Sequence, residues 1–171
     1  MEINKELLDQ LFKQAKENPR LRQNLDLRTS PSDTSQRMLN ALLPGTVVPI
    51  HRHEDTSETV IFLCGKLDEV IYKEVDSQLP SLTGSRFREI ERIHLCPAQA
   101  QYGCQVSKGA WHTVEVIEPS VIFEAKDGKY MGYDLYKDIH HKMVPIQVEG
   151  YVLSSKYTVL KRHYNTIITL L

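Results

Sequence analysis

Apolar residues recur at Leu7, Leu8, Leu11, Phe12 and Ala15, a spacing that lines one side of an α-helix. Asn4 can cap this helix and Asn18-Pro19 stops it, so a helical segment is predicted within residues 1–19. Beyond it the period changes. Residues 20–37 are polar and turn-rich, with Ser30-Pro31-Ser32-Asp33 reading as a loop or a short capped turn. Met38 to Val48 reads as one or two strands broken at Pro44-Gly45. Further strands are predicted at Glu58 to Cys64, Leu67 to Val75, Phe87 to Leu95, Gln101 to Val106, Trp111 to Ile117 and Ser120 to Ala125. Short strands at this pitch, separated by Gly, Pro and Asp, indicate an all-β antiparallel sandwich or barrel behind the helix. Asp76 to Ser85 reads as a solvated loop between strands. After the Asp127-Gly128 turn, Val144 to Leu153 and Tyr157 to Leu160 can form extra strands, and Asn165 to Leu171 is apolar enough to need a partner surface.

Four side chains within this strand pattern carry metal-binding chemistry. His51 and His53 are two apart, so on a strand both project to the same side with Arg52 turned away. Glu54-Asp55-Thr56-Ser57 is turn-forming, and Glu58 opens the next strand, which can aim it back at the same point. His112 opens another strand after the turn at Gly109. Three imidazoles and a carboxylate suit a mononuclear divalent transition metal (iron, manganese, zinc, nickel or copper) and leave positions for water or substrate. Glu58 has two possible jobs, fourth ligand or second-sphere base. Glu124 shares a strand face with Ile122 and Lys126; if that face is inward it is a candidate acid or base, and if outward a salt-bridged surface carboxylate. Arg37 and Asn40 are candidates for gripping an anionic or sugar ligand. His94 falls on the polar side of its strand, while the adjacent His140 and His141 point oppositely and His163 lies among cations, so none of these joins the site.

The spacing from Gly45 through His51-Arg52-His53 and Glu58 to Gly65 resembles the first signature of the cupin superfamily. Ser107 to His112 resembles the second, with Ser107 where proline is usual, Gln101 where glycine is expected and Val116 in place of asparagine. A narrower resemblance rests on Asn18 to Asn24, Gln36 to Thr46, His51-Arg52-His53, Trp111 to Val114 and Phe123-Glu124-Ala125-Lys126, which are similar to the WbuC-type cupin metalloproteins of bacterial O-antigen clusters. The resemblance implies a double-stranded β-helix (jelly-roll) barrel over residues 20–130, with residues 131–171 as a C-terminal extension. It also implies homodimerisation and a carbohydrate as the small-molecule ligand.

Composition narrows the functional classes. The chain has 171 residues, 41% of them hydrophobic, enough for one domain with a sizeable core. Lys plus Arg total 21 against 22 Asp plus Glu, a net charge of -1 that gives no electrostatic case for nucleic acid or a membrane surface. The start, Met-Glu-Ile-Asn-Lys-Glu-Leu-Leu, lacks the features of a secretory signal, so a cytoplasmic location is expected. Cys64, Cys96 and Cys104 have no metal-like spacing and read as small core residues. Three readings follow: a metal-dependent isomerase or epimerase of sugars or nucleotide sugars, an iron-dependent dioxygenase, or a non-catalytic metal or carbohydrate-binding module.

Overall fold

The computed structural model describes residues 1–75 and 87–128. The expectations for Asp76 to Ser85, for His140, His141 and His163, and for the C-terminal strands lie outside the described residues. Met1–Tyr72 and Glu89–Met131 form one compact unit, which holds the helix, the candidate site and the strands apart from the end of one and the start of the next. The second unit comprises Lys73–Arg88 and Gly132–Leu171, of which only strand ends fall among the described residues.

Helix α1 spans Lys5–Glu17. Asn4 caps it as the sequence predicts: its Oδ1 accepts a hydrogen bond from the Leu7 N–H at 3.1 Å, satisfying one of the backbone donors that a helix start leaves free. Leu11 and Ala15 are buried on one side, packed with Leu7, Leu8 and Phe12 against Leu39, Ala41 and Val121 of the sheet. The helix is thus held by its apolar stripe rather than by propensity alone.

The strands are β1 (Arg22–Asp26), β2 (Ser35–Leu42), β3 (Glu58–Glu74), β4 (Phe87–Leu95), β5 (Gly103–Val106) and β6 (Trp111–Asp127). They form one six-stranded sheet in the order β1-β2-β6-β3-β4, with β5 pairing β3. All the registers recorded among β1, β2, β3, β5 and β6 are antiparallel. Alternation divides the side chains cleanly. Leu39, Ala41 and Val121 point toward the helix, whereas Leu42, Val60, Phe62, Leu67, Leu95 and Ile122 make a separate inner core.

Three expectations need correction. Residues 22–26 form a strand, although their polar composition reads as loop; β1 is half exposed and pairs only with β2, so it carries little of the apolar alternation that marks an inner strand. Residues 35–37 likewise belong to β2. Finally, the four strands predicted around Gly65 and Pro119 are two long ones, each of 17 residues. The breaks in pattern at Gly65-Lys66 and Glu118-Pro119 mark irregularities in the β3–β6 ladder, where the register shifts between Phe62 and Leu67. Gly65 has φ +95°, and a Cβ there would meet the Pro119 carbonyl oxygen at 2.2 Å. Ser120 completes the hydrogen bonding, its hydroxyl accepting from Lys66 N–H at 3.1 Å and donating to the Glu118 carbonyl at 2.7 Å.

That bend creates the interior. In the ladder Glu58 pairs with Lys126 and His112 with Ile71, at opposite ends of the β3–β6 pairing. Yet Glu58 Oε2 and His112 Nε2 lie only 3.3 Å apart, which a flat sheet cannot achieve. The sheet is therefore curled on itself behind an N-terminal helix, and the fold is all-β apart from that helix and a short 3-10 turn.

Candidate metal centre

The segment carrying His51 lies beside the start of β6. His51 bridges His112 through reciprocal backbone hydrogen bonds of 3.0 and 2.8 Å, and the Gly109 N–H donates to the His53 carbonyl at 2.8 Å. A single bridge, rather than the full strand predicted, is enough to fix both histidines. Arg52 turns away, as alternation requires: its guanidinium stacks 4.6 Å over the Trp111 ring and pairs with Glu54.

The four predicted ligands converge. One ligand atom from each of His51, His53, Glu58 and His112 lies within 4.8 Å of all the others. Four donors about 2.0–2.2 Å from a common ion in a tetrahedral array stand about 3.3–3.6 Å apart, so the group is close enough for one ion to draw its members together. The tautomers suit the task. His51 Nδ1 donates to the Pro49 carbonyl at 2.9 Å and His112 Nδ1 to the Ala110 carbonyl at 3.0 Å, which leaves each Nε2 to face the centre. His53 Nε2 and His112 Nε2 both face one oxygen, Glu58 Oε2, at 3.0 and 3.3 Å. Lone pairs crowded this way need a cation between them, either protons or a metal ion, and the donor set fits a divalent ion.

Electrostatics points the same way. Burial, followed by the charges of its imidazole neighbours, pushes His51 down to about 3, so its ring is neutral and available as a ligand. Burial alone would raise the Glu58 carboxyl, which is 4% exposed; hydrogen bonds from His112 and His53 and the charge of Lys126 outweigh it and hold the group well below the usual carboxylate range. Glu124 does face inward, on the same side as Ile122. Burial and then the Glu58 charge raise it to about 8, against the opposing charge of Lys126; a hydrogen bond shared with Glu58 raises it further, while one with Asn40 lowers it. Asn40 is therefore placed beside Glu124, next to the centre. Arg37 is not. It lies on the other face of β2, with Leu39 and Ala41, and pairs with Asp33 at 2.8 Å, so its assignment as a ligand-gripping residue has no geometric basis.

Two inward groups were missed by the sequence reading. Lys126 Nζ stands 3.2 Å from His53 Nε2 and 3.4 Å from Glu58 Oε1. Glu69 is 1% exposed, and its Oε1 has no hydrogen-bond partner among the described residues. The alternation Ile122, Glu124, Lys126 could have drawn attention to the lysine. Around Glu69 both strand faces are buried and mixed in polarity, so alternation there gives no direction. Cys104 packs at the edge of the inner core, and burial, then the Glu69 and Glu58 charges, pushes its thiol up to about 12. His94 occupies the outer face, as predicted, paired with Asp68 at 2.7 Å beside the Arg92, Asp68 and Glu115 ion pairs.

A family model described as a domain of unknown function (DUF6016) matches residues 3–80. No curated protein matches the chain. Among solved structures, TT1209 from Thermus thermophilus is 22% identical with a TM-score of 0.50, over 75% of this chain and 98% of that one. KdgF from Halomonas sp. is 14% identical with a TM-score of 0.47, over 66% and 83%. A cupin-2 domain containing protein from Shewanella frigidimarina is 17% identical with a TM-score of 0.41, over 61% and 79%. Fold and site together define a protein with a curled all-β sheet whose His51, His53, Glu58 and His112 can hold a metal ion. No helix among the described residues is long and apolar enough to cross a membrane.

Proposed function

We propose that this protein is a metal-dependent cupin enzyme acting on a sugar or nucleotide-sugar intermediate of bacterial surface polysaccharide biosynthesis, by proton transfer at a carbon next to a carbonyl. The observation that carries the reading is the approach of His51, His53, Glu58 and His112 to within 4.8 Å of one another, with a second inward carboxyl, Glu124, buried close to Glu58. A divalent ion held by those four residues supplies Lewis acidity, polarising a carbonyl or hydroxyl oxygen or lowering the pKa of coordinated water. Glu124, raised to about 8, can both hold and release a proton near neutral pH, the property a general acid or base needs. Glu58 stays ionised as a ligand. The sugar class is supported by the resemblance of the Gln36 to Thr46 and Phe123 to Lys126 runs to O-antigen-cluster cupins.

The purified protein is expected to contain near-stoichiometric transition metal, and the His51→Ala/His112→Ala double variant is expected to lose it. Incubation with nucleotide sugars in deuterated water should incorporate solvent deuterium without oxygen uptake, and Glu124→Gln should slow that exchange by about 10²–10⁴-fold while retaining metal. Oxygen consumption by the iron-loaded protein would replace this reading with a dioxygenase. Tight sugar binding with neither activity would replace it with a binding module. A wild type that stays metal-free after reconstitution removes both enzyme readings.

A further inference from the structure

The ammonium of Lys126 stands among the metal-ligating atoms, in contact with both His53 Nε2 and Glu58 Oε1, and only 13% of its side chain is exposed. Its placement is fixed by the sheet: Lys126 is the ladder partner of Glu58, so the register that delivers the carboxylate delivers the cation too. An amine beside a metal-binding set works against metal uptake when it carries its proton, because it competes for the same carboxylate and repels the like charge of the ion. Such a residue is useful when the ligand that completes the centre is itself negative. An open groove of about 520 Å³ reaches Lys126 from outside and also carries Lys108, Ser57, Thr59, Asp55 and Asp127, with no imidazole of the centre in its lining. Lys126 is thus the residue common to the groove and the centre.

We propose that Lys126 is a specificity-determining residue that selects ligands carrying an anionic oxygen, a carboxylate foremost, and rejects neutral polyols of the same size. The assignment rests on the metal-centre reading above and narrows it to acidic small molecules. A ligand with one oxygen at the centre and a second, charged oxygen within reach of the ammonium gains a charge-assisted hydrogen bond that a neutral analogue lacks. The lost competition between Lys126 and the metal is offset at the same time.

The test uses cobalt(II)-loaded full-length protein, with glycolate and ethylene glycol as matched probes and the visible cobalt spectrum as the readout. Wild type is expected to bind glycolate at least about tenfold more tightly than the glycol, the scale of one hydrogen bond to a charged group. Lys126→Met should cut that preference by about tenfold, leaving only what the metal's own affinity for a carboxylate gives, and should bind cobalt several-fold more tightly. Lys126→Arg, which keeps the positive charge, should preserve the preference. Structural damage would weaken metal and glycolate binding together, so the opposite movement of the two affinities is the signature. If Lys126→Met takes up cobalt fully and retains the wild-type glycolate preference, the lysine assignment is wrong and the metal centre stands. If wild type takes up no cobalt, both fall.

Discussion

Glu69 shows how far a single side chain can depart from its ordinary chemistry. Burial, followed by the Glu58 and Glu124 charges, raises its carboxyl well above the ordinary glutamate value of 4.5. Below about pH 4.5 both folded and unfolded chains carry the proton, and the group is neutral to stability. As pH rises beyond that, the unfolded chain ionises first, so stability falls until the folded pKa is reached. Each pH unit in this window costs at most about 1.4 kcal/mol. Relative to Glu69→Gln, metal-free wild type should therefore lose thermal stability progressively between about pH 5 and pH 7; a difference in melting temperature that stays flat across that range would contradict the buried, protonated acid. At this scale the sequence named the four side chains that cluster at the candidate centre and placed Glu124 on the face it shares with Ile122. It missed Lys126 and Glu69, and it gave Arg37 a role that its partner Asp33 takes away. Residue type states what a group can do, and burial and neighbours decide what it does.

Between residue and fold, the bend in β3 and β6 sets the geometry. Gly65 adopts a left-handed backbone against Pro119, and the overlap a methyl group would suffer there is with main-chain atoms that cannot swing aside. Gly65→Ala is expected to destabilise the protein by about 3 kcal/mol or more, measured by urea unfolding, and to loosen metal binding because the bend brings Glu58 across to His112. A loss below about 1 kcal/mol would show that the ladder straightens at no cost. The helix was legible because Asn4 and the Leu7 to Ala15 stripe are local signals. Strand β1 was not, since Arg22 to Asp26 owes its conformation to pairing with Leu42 to Met38 rather than to its own polar composition. The long strands were read as four because a bulge and a loop opening share the same glycine and proline punctuation.

For the molecule as a whole, uptake of an ion at the candidate centre would be linked to folding. The ligands come from the segment at His51, the start of β3 and the start of β6, so an ion that binds only the folded barrel stabilises it by mass action. At free metal one hundred times its Kd the gain is about 2.7 kcal/mol. Melting curves should shift upward with added metal and return on chelation, whereas the His51→Ala/His112→Ala variant should show no shift; equal shifts in both proteins would mean the ion binds elsewhere. The sequence alone determined the ligand types, their spacing, the helix and the all-β class, because each is written in local periodicity and residue chemistry. Only the tertiary structure decided that β3 and β6 curl until their far ends meet, that Glu69 and Lys126 share the interior with the imidazoles, and that Arg37 does not. Those outcomes depend on ladder register and on a bend between residues more than fifty positions apart, and no local pattern encodes the distance across a closed sheet.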